Sequence, residues 1–528
     1  MDGTLHERLV DLLKHSVLFA IAWVSCATLA GCAKPAHVPT TFAWVLGGSE
    51  PSFDPHGPPD ARRWALERLL TRGLLAEDSL GRVVPAAAES IVASTDSLTW
   101  TFRLRQGLKF IDGSACGSAD FKRALITGLT RRDHGTQAWV LAAVTGVDAI
   151  RPGRSLPALG IETPDDRTLV LRLARPDVLL LRKLAVPGVC DAWSARGDST
   201  WLGAIGLGPM RATEHLPGRR LYLVAAGRDG RKAAIADTLF IRFGFTAGRA
   251  RTLLRNGVVD LIWPLPHGML DEAMPAAYRT RTEKARPRRQ LVLVMRADLP
   301  PTTKQPARRA LAHGINRDEV VRMLGPGAER RTPWLAGSPP ADFPTLDGEE
   351  ILMWMERGKL GRSFHVEMAY RGDGPGEAVA RSMQGEWSNH AIYIEPRPLR
   401  GERFSDEALK GRMHLVLAES QALIDDVAAE LAQMVMPIRG PAVGGYRTGW
   451  RTREFDPLIF PVNRESAPLE FIEPRLAEEL VVLPLAELPW VWIEREGGPP
   501  GAFHPHFGPT DGLSEGLSRA GQIADHGR

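Results

Sequence analysis

Apolar and polar residues alternate in short runs along this chain, and the runs mark out strands. In residues 98–105, Trp100, Phe102 and Leu104 point one way, and Thr101, Arg103 and Arg105 the other. That is the period-2 pattern of a half-buried antiparallel strand. Comparable runs stand at residues 41–46, 167–173, 220–224, 238–243, 258–262, 290–295, 364–370, 392–395 and 415–417. Between them the spacing becomes helical. Residues 62–75 place Ala65, Leu66, Leu69 and Leu70 on one side, and Phe121, Leu125 and Leu129 share a face. Ala247, Ala250, Leu253 and Leu254 precede Gly257, and Pro306 opens a helix carrying Ala307, Ala310, Leu311 and Ile315. Residues 377–387 read as a further helix. Ser118 stands as a helix cap with Asp120 in the first turn. Residues 316–319 read as a capping box, with Ile315 and Val320 as its hydrophobic staple. No repeat of about 20–50 residues is visible. The pattern predicts mixed α and β structure in more than one domain.

The chain has 528 residues, 44% of them hydrophobic and 24% charged. That composition excludes a disordered, collagen-like or polytopic membrane protein. A formal net charge of +4 over this length does not point to nucleic acid. No serine-hydrolase elbow, zinc-protease helix or phosphate-binding loop occurs. No enzyme activity, cofactor or metal is therefore expected. Two imidazoles at His504 and His506 read as part of a loop, and residues after Gly508 as a frayed tail.

The N-terminus sets the expected compartment. The apolar run of residues 17–29 is shorter than a membrane span of about 20 residues and has the length of a signal-peptide core. It ends in Leu29-Ala30-Gly31-Cys32, which resembles a bacterial lipobox. The resemblance implies that residues 1–31 are a signal peptide and that Cys32 is lipidated. The mature protein would lie in the periplasm or cell envelope, lipid-anchored to a membrane. Cys26 falls in the signal, which leaves Cys116 and Cys190. An even pair in an oxidising compartment reads either as a disulfide or as two separate buried thiols.

One long stretch carries a more specific resemblance. Trp100-Thr101-Phe102, Leu104-Arg105, Lys109-Phe110, Asp112-Gly113 and Ala119-Asp120-Phe121 follow in order. They are similar in order and spacing to the family 5 extracellular solute-binding proteins, the oligopeptide- and dipeptide-binding lipoproteins of bacterial ABC importers. Weaker motifs keep the same order: residues 50–56, Val84-Pro85 to Glu89-Ser90, Gly160-Ile161 with residues 166–169, residues 206–209, residues 256–260, and Arg308 to Asp318. The resemblance covers about Thr41 to Gly508 and identifies the chain as a divergent member.

It implies an α/β, two-lobed periplasmic-binding-protein-like fold with mixed sheets, one lobe being made of two sub-domains. Residues 33–60, 195–280 and 480–528 would form the main sub-domain of the first lobe and residues 61–194 its second. Residues 281–479 would form the other lobe. A peptide or similar small solute would be captured between the lobes and delivered to permease subunits in the inner membrane. A monomer is expected. The family's Trp-x-x-Asp anchor for a ligand amine has no counterpart in residues 415–426, and Leu423 falls near the expected acid. That leaves open a transport-independent sensor or surface interaction protein on the same scaffold. The ligand-facing candidates by position are Asp60, Trp139, Arg330, Trp334 and Glu419, with Arg331 beside Arg330.

Overall fold

The computed structural model describes residues 40–508, except 58–59, 131–134, 151–153, 199, 227–235, 267, 271–272, 331–333, 337–342, 373, 401–402, 405–411, 435, 438–447, 453, 463–468, 498–505 and 507. Three sheets organise it. The largest has seven strands, ordered Tyr278–Glu283, Trp490–Arg495, Leu261–Ile262, Thr41–Val45, Thr238–Arg242, Arg220–Ala225 and Met210–Leu216. Thr41–Val45 pairs in parallel with both of its neighbours. Alternation along that strand divides two cores. Phe42 and Trp44 join one with Leu239, Ile241, Trp263 and Trp490, and Val45 joins the other with Ala250, Leu254 and Ile262.

A four-stranded antiparallel sheet follows the order Ala88–Ala93, Thr99–Leu104, Thr168–Arg172 and Ile161–Asp165. Its Phe102, Leu104, Leu169 and Leu171 pack with Phe121 and Leu125 of the helix Ser118–Thr130. The third sheet has five strands, ordered Ile392–Leu399, Phe364–Arg371, Leu415–Gln421, Arg289–Met295 and Val482–Leu488. Helices Gln305–His313, Arg317–Leu324 and Gly376–Ser388 contribute to its core.

The two larger sheets are the heads of two lobes, and the chain passes between them twice in adjacent strand pairs. Tyr278–Glu283 pairs with Trp490–Arg495 in one sheet, ending at Glu283 opposite Trp490. Arg289–Met295 pairs with Val482–Leu488 in the other, starting at Arg289 opposite Leu488. Residues 284–288 and Pro489 are thus the crossings. Away from them, the four-stranded region touches the second lobe. The Trp139 indole N–H donates to the Ile459 carbonyl at 3.1 Å. Arg182 donates to the Asp425 carbonyl at 2.7 Å and pairs with Asp426 at 3.3 Å.

Several local readings need correction. The first helix is Ala61–Leu70 rather than 62–75, because Thr71 turns extended, at φ −143°, and Leu75–Glu77 pairs as a strand with Val83–Pro85. Ser118 begins its helix, but its hydroxyl donates to the Asp165 carbonyl at 2.5 Å. The cap comes from Asp120, whose carboxylate accepts from the Gly117 N–H at 2.9 Å. Of residues 258–262, Leu261 and Ile262 alone form a strand. Cys116 and Cys190 are free, buried thiols, so of the two readings left open the separate thiols are the ones found. Burial pushes the Cys116 thiol up to about 12 and raises Cys190 as well. Cys32 and the apolar run before it lie outside the described residues, as do Arg331, His504 and the tail after Gly508.

Candidate functional site: the cleft between the lobes

A cavity of about 400 Å³ opens where the ends of the two larger sheets face each other. One wall is Gly47-Gly48, directly after the central strand, with Trp263 to Pro266 and Met269. The opposite wall is Arg289, Leu291, Leu417 and Glu419 from adjacent strands of the five-stranded sheet. The crossing residues Leu488 to Val491 close one side. Arg371, at the end of its strand, and Gly374 to Gly376 border another. Gly47 has a steric reason to be glycine. A Cβ there would meet the Pro264 carbonyl oxygen at 1.9 Å, so only glycine lets these two segments touch.

Charge in the cleft is organised around arginine. Arg289 stacks its guanidinium over the Trp490 ring at 4.0 Å. It donates to the Pro489 carbonyl at 2.8 Å and to Glu419 at 2.7 Å. The planar, forked guanidinium satisfies all three contacts at once, which an ammonium would not. Glu419 lies directly across the ladder from Leu291, and Gln421, two residues on, lies across from Arg289. On the first lobe, Arg62 donates to the Gly47 and Ser49 carbonyls at 3.3 and 2.9 Å. Its remaining nitrogens reach Asp60 at 3.2 and 2.8 Å. Burial pushes the Asp60 carboxyl up, but Arg62 beside it, with Arg371 and Arg63 further off, holds it well below the usual carboxylate range.

The five positional candidates separate clearly. Glu419 lines the cavity. Asp60 stands one shell back, capping the first helix through the Arg62 N–H at 2.9 Å and fixing Arg62 in the wall. Trp139 and Trp334 are interior. Trp139 covers the buried Lys183 ammonium, 4.4 Å from its ring centroid, and Trp334 donates to the Val482 carbonyl at 2.7 Å and stacks on Phe343. Arg330 forms a surface pair with Asp318 at 3.3 Å. Arg62, Arg289, Arg371, Trp263 and Trp490 were not singled out in the sequence. Arg289 had one local signal: it is the last charge before the apolar run that forms the strand Arg289–Met295.

Behind Asp60 lies a second group of carboxylates that the cleft does not use. Glu67 is wholly buried on the first helix, 3.1 Å from the Arg63 guanidinium. Burial raises its carboxyl to about 8. Arg63 opposes the shift, while Asp191, Asp54 and Asp60 add to it. Asp191, also buried, rises to about 6 for the same first reason, although it accepts from the Gly188 N–H at 2.9 Å.

The family model described as bacterial extracellular solute-binding proteins, family 5 Middle, matches residues 82–435. The periplasmic oligopeptide-binding protein OppA of Haemophilus influenzae is 32% identical over 176 residues, 30% of this chain and 32% of that protein. The matched stretch is thus about a third of that relative's length. The probable deoxycholate-binding periplasmic protein YgiS of Escherichia coli is 25% identical over 461 residues, 79% of this chain and 82% of its own. Among solved structures, Haemophilus influenzae OppA in complex with the peptide RPPGFSPFR superposes with a TM-score of 0.78 at 16% identity. That superposition covers 90% of this chain and 97% of the other. With two sheet-headed lobes, a double crossing and a cleft between them, this chain belongs to the bacterial extracellular solute-binding proteins of family 5.

Proposed function

We propose that this protein captures a peptide or similar small solute between its lobes and hands it to the permease of an ABC importer. The carrying observation is the cavity at the two crossings, whose walls come from both lobes. A ligand touching both walls binds the closed arrangement better than the open one, which is what closure requires. Relatives named for oligopeptides and for deoxycholate support solute capture and leave the solute's class open. The lobe boundaries at about residues 194, 280 and 480, the lipid anchor on Cys32 and the periplasmic location belong to the same proposal. The periplasmic relatives and the lipobox-like residues support the location and anchor. Native mass spectrometry of the purified protein, followed by denaturation, tests the capture. A released solute of defined mass is expected. An empty protein that no peptide or small solute stabilises thermally would contradict the proposal.

A further inference from the structure

A second contact between the lobes lies away from the cavity. The four-stranded region is tied to the first lobe. Ile111 donates its N–H to the Gly206 carbonyl at 3.0 Å, four residues before the strand Met210–Leu216. The helix Ala61–Leu70, which leads into the region, places Leu66 and Leu69 in the Trp44 core. Side chains of the same region reach the second lobe. The buried Trp139 donates to the Ile459 carbonyl at 3.1 Å. Arg182 donates to the Asp425 carbonyl at 2.7 Å and pairs with the Asp426 carboxylate at 3.3 Å. The Arg175 guanidinium lies over the Phe460 ring, 5.2 Å from its centroid. None of these residues lines the cavity. Around them the apolar packing is continuous. Phe121, Trp139 and Leu180 belong to one buried cluster with Leu417, Leu423 and Ile459, while the core of the seven-stranded sheet forms two other clusters. Opening the lobes about the crossings would break the polar contacts together and put apolar surface into water. The acids are also linked to the cavity. Asp425 and Asp426 closely follow the strand Leu415–Gln421, which puts Leu417 and Glu419 in the cavity wall.

Resting on the reading that the cleft captures a solute between closing lobes, we infer that this junction is a latch. It holds the lobes together through the protein's own side chains, so the closed form is the major one before a solute binds. Arg182 is its positioning residue and sets the ratio of closed to open. The Arg182–Asp426 pair is partly exposed and therefore weak, which leaves the lobes able to part and admit a solute. Apparent affinity scales with the fraction of molecules in the competent form. Loosening the latch therefore weakens binding of any solute without altering the cavity wall.

Small-angle X-ray scattering of the full chain tests this, after any retained solute has been removed by unfolding in guanidinium and refolding. Fitted as a mixture of closed and open forms, the unliganded protein should be mostly closed. Arg182→Ala should shift the ratio about tenfold toward open, the scale of one charged hydrogen bond. Arg182→Lys, which keeps the charge, should shift it less, and Arg182→Glu, which repels Asp426, should shift it further. Asp426→Asn breaks the same pair from the second lobe and should open the protein too. Near-ultraviolet circular dichroism reports whether each variant is folded, and a purely structural residue would not order the folded variants by charge. A mostly open unliganded protein overturns the inference, and so does a closed fraction that the Arg182 and Asp426 substitutions leave unchanged. Either result leaves solute capture standing, because the solute released from the purified protein tests that separately.

Discussion

Replacing Glu67 by Gln should move stability in the variant's favour as pH rises. Glu67 is 0% exposed on the first helix, and its carboxyl is raised to about 8 from an ordinary 4.5. The native state therefore keeps a proton that the unfolded chain releases between those two values. Stability from this group is fully present below about pH 4.5, falls as pH rises, and is lost by about pH 8. At about 1.4 kcal/mol per pH unit, that window sets an upper limit of about 5 kcal/mol. Arg63, 3.1 Å away, keeps the penalty from being larger. Gln has the same shape and never ionises, so the variant lacks this loss. Removing the partner of Arg63 adds a cost that does not vary with pH. The informative quantity is thus the change with pH of the difference between the two proteins. Urea unfolding of both at pH 5, 7 and 9, read by tryptophan fluorescence, should show the difference moving in favour of Glu67→Gln by a few kcal/mol between pH 5 and 9. A difference that is flat, or that moves against the variant, would mean that the Glu67–Arg63 ion pair outweighs burial and would refute the reasoning.

Three further outcomes follow from the same physics. Asp177→Ala leaves the Lys183 ammonium, now 2.8 Å from Asp177 and fully buried, without its partner, and should cost about 3–5 kcal/mol in denaturant unfolding; the double variant with Lys183→Met should regain most of that. Trp139→Phe removes the N–H that reaches the Ile459 carbonyl in the second lobe, so the thermal midpoint should fall by the equivalent of about 1 kcal/mol or more, and Arg182→Ala should add to the fall by removing the neighbouring contacts to Asp425 and Asp426. Cys116 and Cys190 are free, so a reducing agent should leave the thermal midpoint unchanged, and thiol titration after unfolding under non-reducing conditions should find both; a bridged pair would contradict this.

Much of the fold was legible because burial follows period. The strands Thr99–Leu104, Thr168–Arg172, Thr238–Arg242 and Phe364–Arg371 lie within a residue or two of where alternation put them. Asn316 caps its helix through the Glu319 N–H at 3.0 Å, as its spacing indicated. Elements without a clean period were missed. Tyr278–Glu283 is an edge strand with one buried residue among six, so no apolar stripe announces it. Val482–Leu488 contains Pro484, and the pairing register shifts between Leu291 and Val292, opposite that residue. The neighbouring Trp490–Arg495 is a crossing strand whose role depends on what it joins. The first helix ended early because Thr71 turned extended, which its apolar spacing could not foretell.

The site was less legible than the fold, and for a different reason. Glu419 was reached by position in a familiar order of motifs. Its partner Arg289 is 130 residues away and meets it only through sheet pairing. Arg62, Arg371, Trp263 and Trp490 come from four separate segments, and nothing local distinguishes them. Trp139 and Trp334 were ligand-facing candidates by position in the same order of motifs. Each instead spends its N–H on a backbone carbonyl in the interior. Local pattern predicts burial, whereas a cleft is defined by which distant segments the fold brings face to face.

The central claim is that the cavity between the two sheet ends is where a solute is held. It is tested most directly by a crystal structure of the protein carrying the solute it retains through purification. The account predicts density between Trp263 on one lobe and Leu417 on the other, with the lobes closed around it. A solute bound elsewhere on the protein, with that cavity occupied only by water, would contradict it.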